Sequence, residues 1–251
     1  MGIRSAFGLA ASVLAVAACG GDADGPGVGG RVLVLAAASL TEAFEASGTA
    51  SGLDVTFSFD SSATLATQIT EGAPADVFAS AAIGPMDDVV AAGGAAGDPA
   101  VFATNRLVVI VPSDNPAGIA TPADMADPGV RVVLAAEEVP AGRSAREYLT
   151  AQGIADAVEA NVVSNEENVR GVLERVALGE ADAGVVYVTD ARANADVQTI
   201  AIPEEDNVVA AYPIVALAEA PNADGAHAFV EFVLSSAGQE ILAQHGFGPA
   251  A

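Results

Sequence analysis

Short apolar runs that end in small or hydroxyl-bearing residues, each followed at once by a helix-forming segment, constrain this chain more than any other feature. Arg31 to Ala37 reads as a strand; Ser39 then caps a helix, with Glu42 three residues on at capping-box spacing and Leu40, Ala43 and Phe44 as its buried stripe. Val55 to Phe59 reads as the next strand, followed by Ser61 and Ser62 and a helix through Leu65 and Ile69 that stops at Gly72. Asp76 to Ser80 reads as a short third strand. Two strand–helix units with such short loops imply a parallel sheet, and parallel sheets bind ligands at the carboxyl ends of their strands. Helix N-termini carry unpaired N–H groups and about half a positive charge each, so several aimed at one point form an anion site without any lysine.

The pattern continues to the end of the chain. Leu107 to Val111, ending at Pro112, and Tyr212 to Leu217 are long β-branched runs; between them lie strands Arg131 to Ala135, Asn161 to Val163 and Ala183 to Val188. A helix is predicted from about Gly142 to Gln152, and another near Asn168, with Val169, Val172, Leu173 and Val176 on one face and Gly179 at its end. The two long runs read as crossing strands that connect an N-terminal α/β lobe to a second lobe and back, and His227 to Gln244 as a returning helix on the first lobe.

With 251 residues, 52% of them hydrophobic and 17% charged, the chain is globular and long enough for one large or two modest domains. Its 33 acidic residues outweigh 9 basic ones, all arginine, for a formal charge of -24. Such a field repels nucleic acid and anionic lipid, so neither is expected as a partner.

Residues 1–18 read as a secretory leader: Arg4 supplies the positive charge, and the apolar run Ala6 to Ala18 is shorter than the ~20 residues of a membrane span. The run closes on Val16-Ala17-Ala18-Cys19-Gly20-Gly21, which resembles the bacterial lipoprotein box, so Cys19 is expected to be acylated and to anchor the chain to the membrane. As the single cysteine it forms no disulfide within the chain. Residues 19–30 are a Gly/Asp-rich tether. Gly25-Pro26-Gly27-Val28-Gly29-Gly30 satisfies a dinucleotide fingerprint in letters only, because it precedes the first strand instead of following one.

Ala36-Ala37-Ala38-Ser39-Leu40-Thr41-Glu42-Ala43-Phe44 and Gln68-Ile69-Thr70-Glu71-Gly72-Ala73-Pro74-Ala75-Asp76-Val77-Phe78 resemble signatures of the periplasmic molybdate-binding proteins of ABC transporters. Asn105 to Pro112, Val139 to Leu149, Asn168 to Ala191 and Tyr212-Pro213-Ile214 continue the resemblance in order, from about Arg31 to Phe247. It implies an α/β, two-lobed, class II periplasmic-binding-protein fold. Each lobe would be a mostly parallel sheet flanked by helices, with residues 31–107 and 213–251 forming the first and 108–212 the second. It implies a monomeric extracytoplasmic lipoprotein that captures molybdate or tungstate, needs no cofactor and delivers the anion to a permease. The oxyanion would be held by Ser39 and Ser62 through hydroxyl and backbone N–H, by Ala141 and Val169 through backbone N–H, and by the Tyr187 phenol, with no direct ligand to molybdenum.

All of these are neutral donors. A donor-only pocket suits a tetrahedral dianion without a proton, because the hydroxyl of hydrogen phosphate would face another donor. Sulfate passes the same filter and is one alternative ligand; ferric ion, needing several tyrosine or carboxylate oxygens, is another, and Tyr148, Tyr187 and Tyr212 are the only tyrosines. Ser61 takes the place of Ser62 if the turn shifts by one residue; the spacing to Leu65 favours Ser62. Asp60 departs from the expected small residue and is expected to face solvent. Arg143, Arg170 and Arg175, with Glu147, Glu166 and Glu174 nearby, are expected to form surface pairs. His227 and His245 lack metal-ligand company, and no nucleophile elbow, zinc-protease motif or P-loop is present, so no enzyme activity is expected.

Overall fold

A computed structural model describes residues 1–2, 30–192 and 194–250. The predicted leader from residue 3 on, Cys19 and the tether up to Gly29 lie outside the described residues. The first half alternates β1 (Val32–Ala37), α1 (Thr41–Ser51), β2 (Val55–Asp60), α2 (Ser62–Thr70), β3 (Val77–Ala79) and α3 (Ile83–Ala91). The long β4 (Ala100–Pro112) leads into β5 (Val132–Ala135), α4 (Pro140–Ala151), α5 (Ala155–Glu159), β6 (Val162–Glu166) and α6 (Val169–Ala177). Then come β7 (Ala183–Tyr187), α7 (Val188–Arg192), β8 (Val197–Ala201), β9 (Val209–Ala216), α8 (Ala223–Leu234) and α9 (Ser236–Gln244).

Among the described residues the strands run in the order β2-β1-β3-β9-β4-β7-β5-β6, with β8 also paired to β4. β1 is parallel to β2 and β3, and β5 is parallel to β6 and β7, as the short connections require. β4 joins the two parallel groups. Its Ala100–Arg106 portion pairs antiparallel with β9, and its Leu107–Pro112 portion pairs antiparallel with β7 and β8. Where β9 has not yet begun, the Asn207 side-chain amide fills the ladder, accepting from Leu107 N–H at 2.9 Å and donating to its carbonyl at 2.8 Å. The result is a two-lobed α/β fold.

Phe44, Phe102 and Phe229 meet beneath α1 and α8, with centroids 5.6 to 5.7 Å apart from Phe44. All three are fully buried, each contributing about 2–3 kcal/mol of apolar burial. In the second half the predicted stripe of α6 (Val169, Val172, Leu173, Val176) is buried, and the helix packs on β5 and β7. Asp76 is buried because its carboxylate accepts the Leu33 and Asn222 N–H groups, each at 2.7 Å, tying β1 to the start of α8.

Several sequence expectations change. Ser39 does not cap α1: it lies in a 3-10 turn, Ala38–Leu40, and Glu42 pairs with Arg170. The single C-terminal helix is two helices, because Ser235 leaves the helical conformation and its side chain caps α9 through Gly238 N–H. β8 and α3 were not anticipated. β8 alternates only weakly and carries Gln198 and Thr199 outward, so its sequence lacks a strong period.

Candidate functional site

Ser39, Ser62, Ala141, Val169 and Tyr187 all line one small cavity, of about 10 Å³, together with Asp60, Ser61 and Asn168 among others. It sits where the carboxyl ends of β1 and β2 face the N-termini of α4 and α6. Each wall acquires its donors differently.

On the first wall the serine hydroxyls are turned into donors by what they accept. Ser62 Oγ accepts the Ala81 N–H at 2.9 Å, which leaves its own proton for the cavity. Ser39 Oγ lies 2.8 Å from the Tyr212 hydroxyl, and Asn105 Nδ2 reaches that same hydroxyl at 3.3 Å. An amide N–H can only donate, so the Tyr212 oxygen accepts from Asn105, which leaves its O–H free to donate to Ser39 and, in that arrangement, the Ser39 proton free for the cavity. Ser61 has the separate task of capping α2: its Oγ accepts the Thr64 N–H at 3.2 Å. Ser61 and Ser62 thus both line the cavity, with different hydrogen bonds.

The second wall is built from backbone. Pro140 opens α4 and has no N–H, so Ala141 supplies the first free one. Gly142 follows because the helix starts hard against the end of β5: a Cβ there would lie 2.1 Å from the Ala136 carbonyl oxygen and 2.3 Å from that of Ala135. Asn168 caps α6 by accepting the Arg170 and Gly171 N–H groups at 3.1 and 3.2 Å, which leaves the Val169 N–H uncapped. Three helix N-termini, of α2, α4 and α6, therefore converge. Tyr187 ends β7, fully buried, and its hydroxyl makes no hydrogen bond of full geometry among the described residues, although the Ser144 side chain stands close to it. Burial and then the nearby Asp190 carboxylate push its ionisation well above the usual tyrosine value, with Ser144 opposing, so it is a neutral donor.

Asp60 faces solvent only in part. It is half-buried in the cavity wall, where its Oδ1 accepts the Ser61 N–H at 2.7 Å and Asn168 Nδ2 at 3.2 Å. It is the only charged residue among those lining the cavity. Arg170 is not a surface pair either: its side chain is 24% exposed, its Nε donates to the Ala38 carbonyl at 3.3 Å, and its guanidinium pairs with Glu42 and faces Asp190 at 3.5 Å. Burial pushes the Asp190 carboxyl up to about 7, against the pull of Arg170 and the Tyr187 N–H. Burial also pushes Glu42 up, but Arg170 outweighs it and holds Glu42 below its ordinary value. Arg175 does pair on the surface, with Glu166 and with Glu180 at 2.9 Å, whereas exposed Arg143 makes no ion pair among the described residues. His227 is exposed, and a His245 ring nitrogen lies 2.8 Å from the Ile241 carbonyl.

Tyr212 and Asn105, which stand behind Ser39, and Asn168, in the cavity lining, are polar side chains that the candidate ligand set did not include. Asn168 carried a signal, an Asn just before a periodic apolar run. The Ser39–Tyr212 contact spans 173 positions and carried none.

A sequence profile described as bacterial extracellular solute-binding protein matches residues 32–248. The molybdate-binding protein ModA of Mycobacterium tuberculosis (strain ATCC 25618 / H37Rv) is 40% identical over 259 residues, covering 98% of this chain and 98% of its own. The periplasmic molybdate-binding protein of Azotobacter vinelandii superposes with a TM-score of 0.78 at 21% identity, over 88% of this chain and 100% of its own. The sulfate-binding protein SubI from Mycobacterium tuberculosis H37Rv superposes with a TM-score of 0.79 at 19% identity, over 87% and 86%. At those identities the two superpositions establish a common fold.

Proposed function

The chain belongs to the bacterial extracellular solute-binding protein family, and on that premise we propose that it captures molybdate, and tungstate with it, and hands the anion to an ABC permease. The observation that carries this reading is the convergence of three helix N-termini and a Tyr187 hydroxyl without a full hydrogen bond on one cavity whose lining contains no cationic side chain. Apart from the Asp60 carboxylate, whose Oδ1 is already bonded to Ser61 and Asn168, such a wall offers hydrogen-bond donors to a tetrahedral dianion and none of the fixed positive charge that would also retain monoanions. Ser39, Ser62, Ala141, Val169 and Tyr187 supply the donors in this reading.

Residues 31–107 with 213–251 form one lobe and 108–212 the other, closing about β4 and β9. Because donors come from both sides of the cleft, the anion binds the closed arrangement better than the open one and shifts the population toward it. The protein acts outside the cytoplasm, as a monomer, held to the membrane through an acylated Cys19. No helix among the described residues is long and apolar enough to cross a membrane.

The test is a thermal-shift and calorimetry panel of molybdate, tungstate, sulfate, phosphate and ferric citrate. A ligand bound only by the folded state, at 100 times its dissociation constant, adds about 2.7 kcal/mol. Molybdate and tungstate should do so, and a response to sulfate or ferric citrate alone would sink the assignment. For the anchor, Cys19→Ser should move the protein out of the washed membrane fraction; retention there would refute acylation as the tether.

A further inference from the structure

α6 begins at the cavity, and the two residues flanking its Val169 both reach across the cleft. Asn168 Nδ2 donates to Asp60 Oδ1 at 3.2 Å, and the same oxygen accepts the Ser61 N–H at 2.7 Å, so one carboxylate joins the starts of α2 and α6. On the other flank the Arg170 Nε donates to the Ala38 carbonyl at 3.3 Å while its outer nitrogen pairs with Glu42. Asp60, Ala38 and Glu42 belong to β2, the 3-10 turn and α1, whereas α6 is packed on β5 and β7. Arg170 is also rooted in its own half, 3.5 Å from the fully buried Asp190. Contacts made by protein groups alone, across a cleft that must open, favour the closed arrangement whatever anion occupies the cavity.

We infer that Asp60 and Arg170 are positioning residues for anion capture. They form two clasps that flank Val169, press the N-terminus of α6 against the first half of the molecule, and set how long a captured anion is held. The inference rests on the reading of the cavity as an oxyanion site.

The sign of one measurement separates a clasp from a plain charge effect. Both acceptors on the first half, Asp60 and Glu42, are acids close to an anion site. If only their charge mattered, removing them would relieve repulsion and tighten binding. If they hold the cleft shut, removing them weakens binding and speeds release. The experiment measures molybdate affinity and dissociation for Asp60→Ala, Glu42→Gln and the double variant of the full chain, together with small-angle scattering of each without anion. Both side chains are partly exposed, so the substitutions leave the core intact. Each single variant should bind molybdate about 5-fold more weakly, the size expected for a partly exposed ion pair at Glu42 and a single hydrogen bond at Asp60. The double variant should lose about 20-fold, with a larger radius of gyration in the ligand-free state and a melting temperature lowered by only about 2–4 °C, because the Glu42–Arg170 pair also adds a little stability. Tighter or unchanged molybdate binding, or a ligand-free scattering profile identical to the parent's, overturns the clasp. If the parent itself binds no molybdate, the proposed function falls, and the scattering comparison alone decides: expansion upholds the clasp and an identical profile overturns it.

Discussion

The two walls of the cavity reach the same chemistry by opposite routes. On the first, the serine hydroxyls are already hydrogen-bonded, Ser62 to Ala81 N–H and Ser39 to Tyr212, and donate to the cavity because of what they accept. On the second, the donors are backbone N–H groups left over at helix starts and a Tyr187 hydroxyl without a full hydrogen bond among the described residues. The first wall's donors are therefore part of the fold's own bonding, whereas the second wall's are surplus to it. Mutations should separate the walls by whether stability and binding are lost together or apart.

The largest effect is expected at the foundation of the second wall. Gly142→Ala would place a methyl group 2.1 Å from a backbone oxygen, so α4 must move away from β5 and take the Ala141 N–H with it. Overpacking against backbone costs about 3 kcal/mol, which for a chain of this size lowers the melting temperature by about 10 °C. Molybdate binding should vanish with it, and a Gly142→Ala protein with parental melting and affinity would remove α4 from the site.

Next come the paired truncations that test the comparison itself. A hydrogen bond to a charged group is worth roughly 1.5–3 kcal/mol, so Tyr187→Phe and Ser62→Ala should each weaken molybdate binding roughly 10- to 100-fold. Without ligand they should part company. Tyr187→Phe removes a buried hydroxyl that makes no full hydrogen bond among the described residues and should leave the melting temperature unchanged or raised. Ser62→Ala strands the Ala81 N–H and should cost about 1–3 kcal/mol. Equal stability changes in the two variants would erase the distinction between the walls.

Behind Tyr187, Asp190 gives the second wall a pH signature. Its folded-state value, about 7, lies above its ordinary 3.8, so between those values the folded chain keeps a proton that the unfolded chain has released. Its contribution is fully present below 3.8 and is lost as pH rises through about 7. Glu42, held low by Arg170, runs the other way, stabilising above its ordinary 4.5 and losing that as pH falls. Asp190→Asn keeps an acceptor for the Tyr187 N–H but does not titrate, so it should flatten the decline in ligand-free melting temperature between about pH 5 and pH 7. An undiminished decline would place the titrating group elsewhere. The smallest effect belongs to Arg175→Ala: this exposed pair with Glu166 and Glu180 should change stability by no more than about 1 kcal/mol and leave molybdate affinity alone. A collapse of affinity there would mean that a distant cation supplies the binding energy.

The sequence by itself determined the parallel strand–helix units, the stripe of α6 and the places where helices begin, because these follow from period and capping within a few residues. The five proposed ligands came from motif resemblance, and Ser39, Ser62, Ala141 and Val169 also stand at or beside the start of a helix of two turns or more. Ser39 was legible as a turn residue but not in its chemistry: the expected capping box is absent, since the contact that orients its hydroxyl comes from Tyr212 on a strand far along the chain. Asp60 and Arg170 were placed at the surface for the same reason, as their partners belong to the opposite half of the molecule. Local rules see only what lies within a turn or two of a residue. Which wall a donor serves, and which charges meet across the cleft, were decided only when β4 and β9 brought the two halves together.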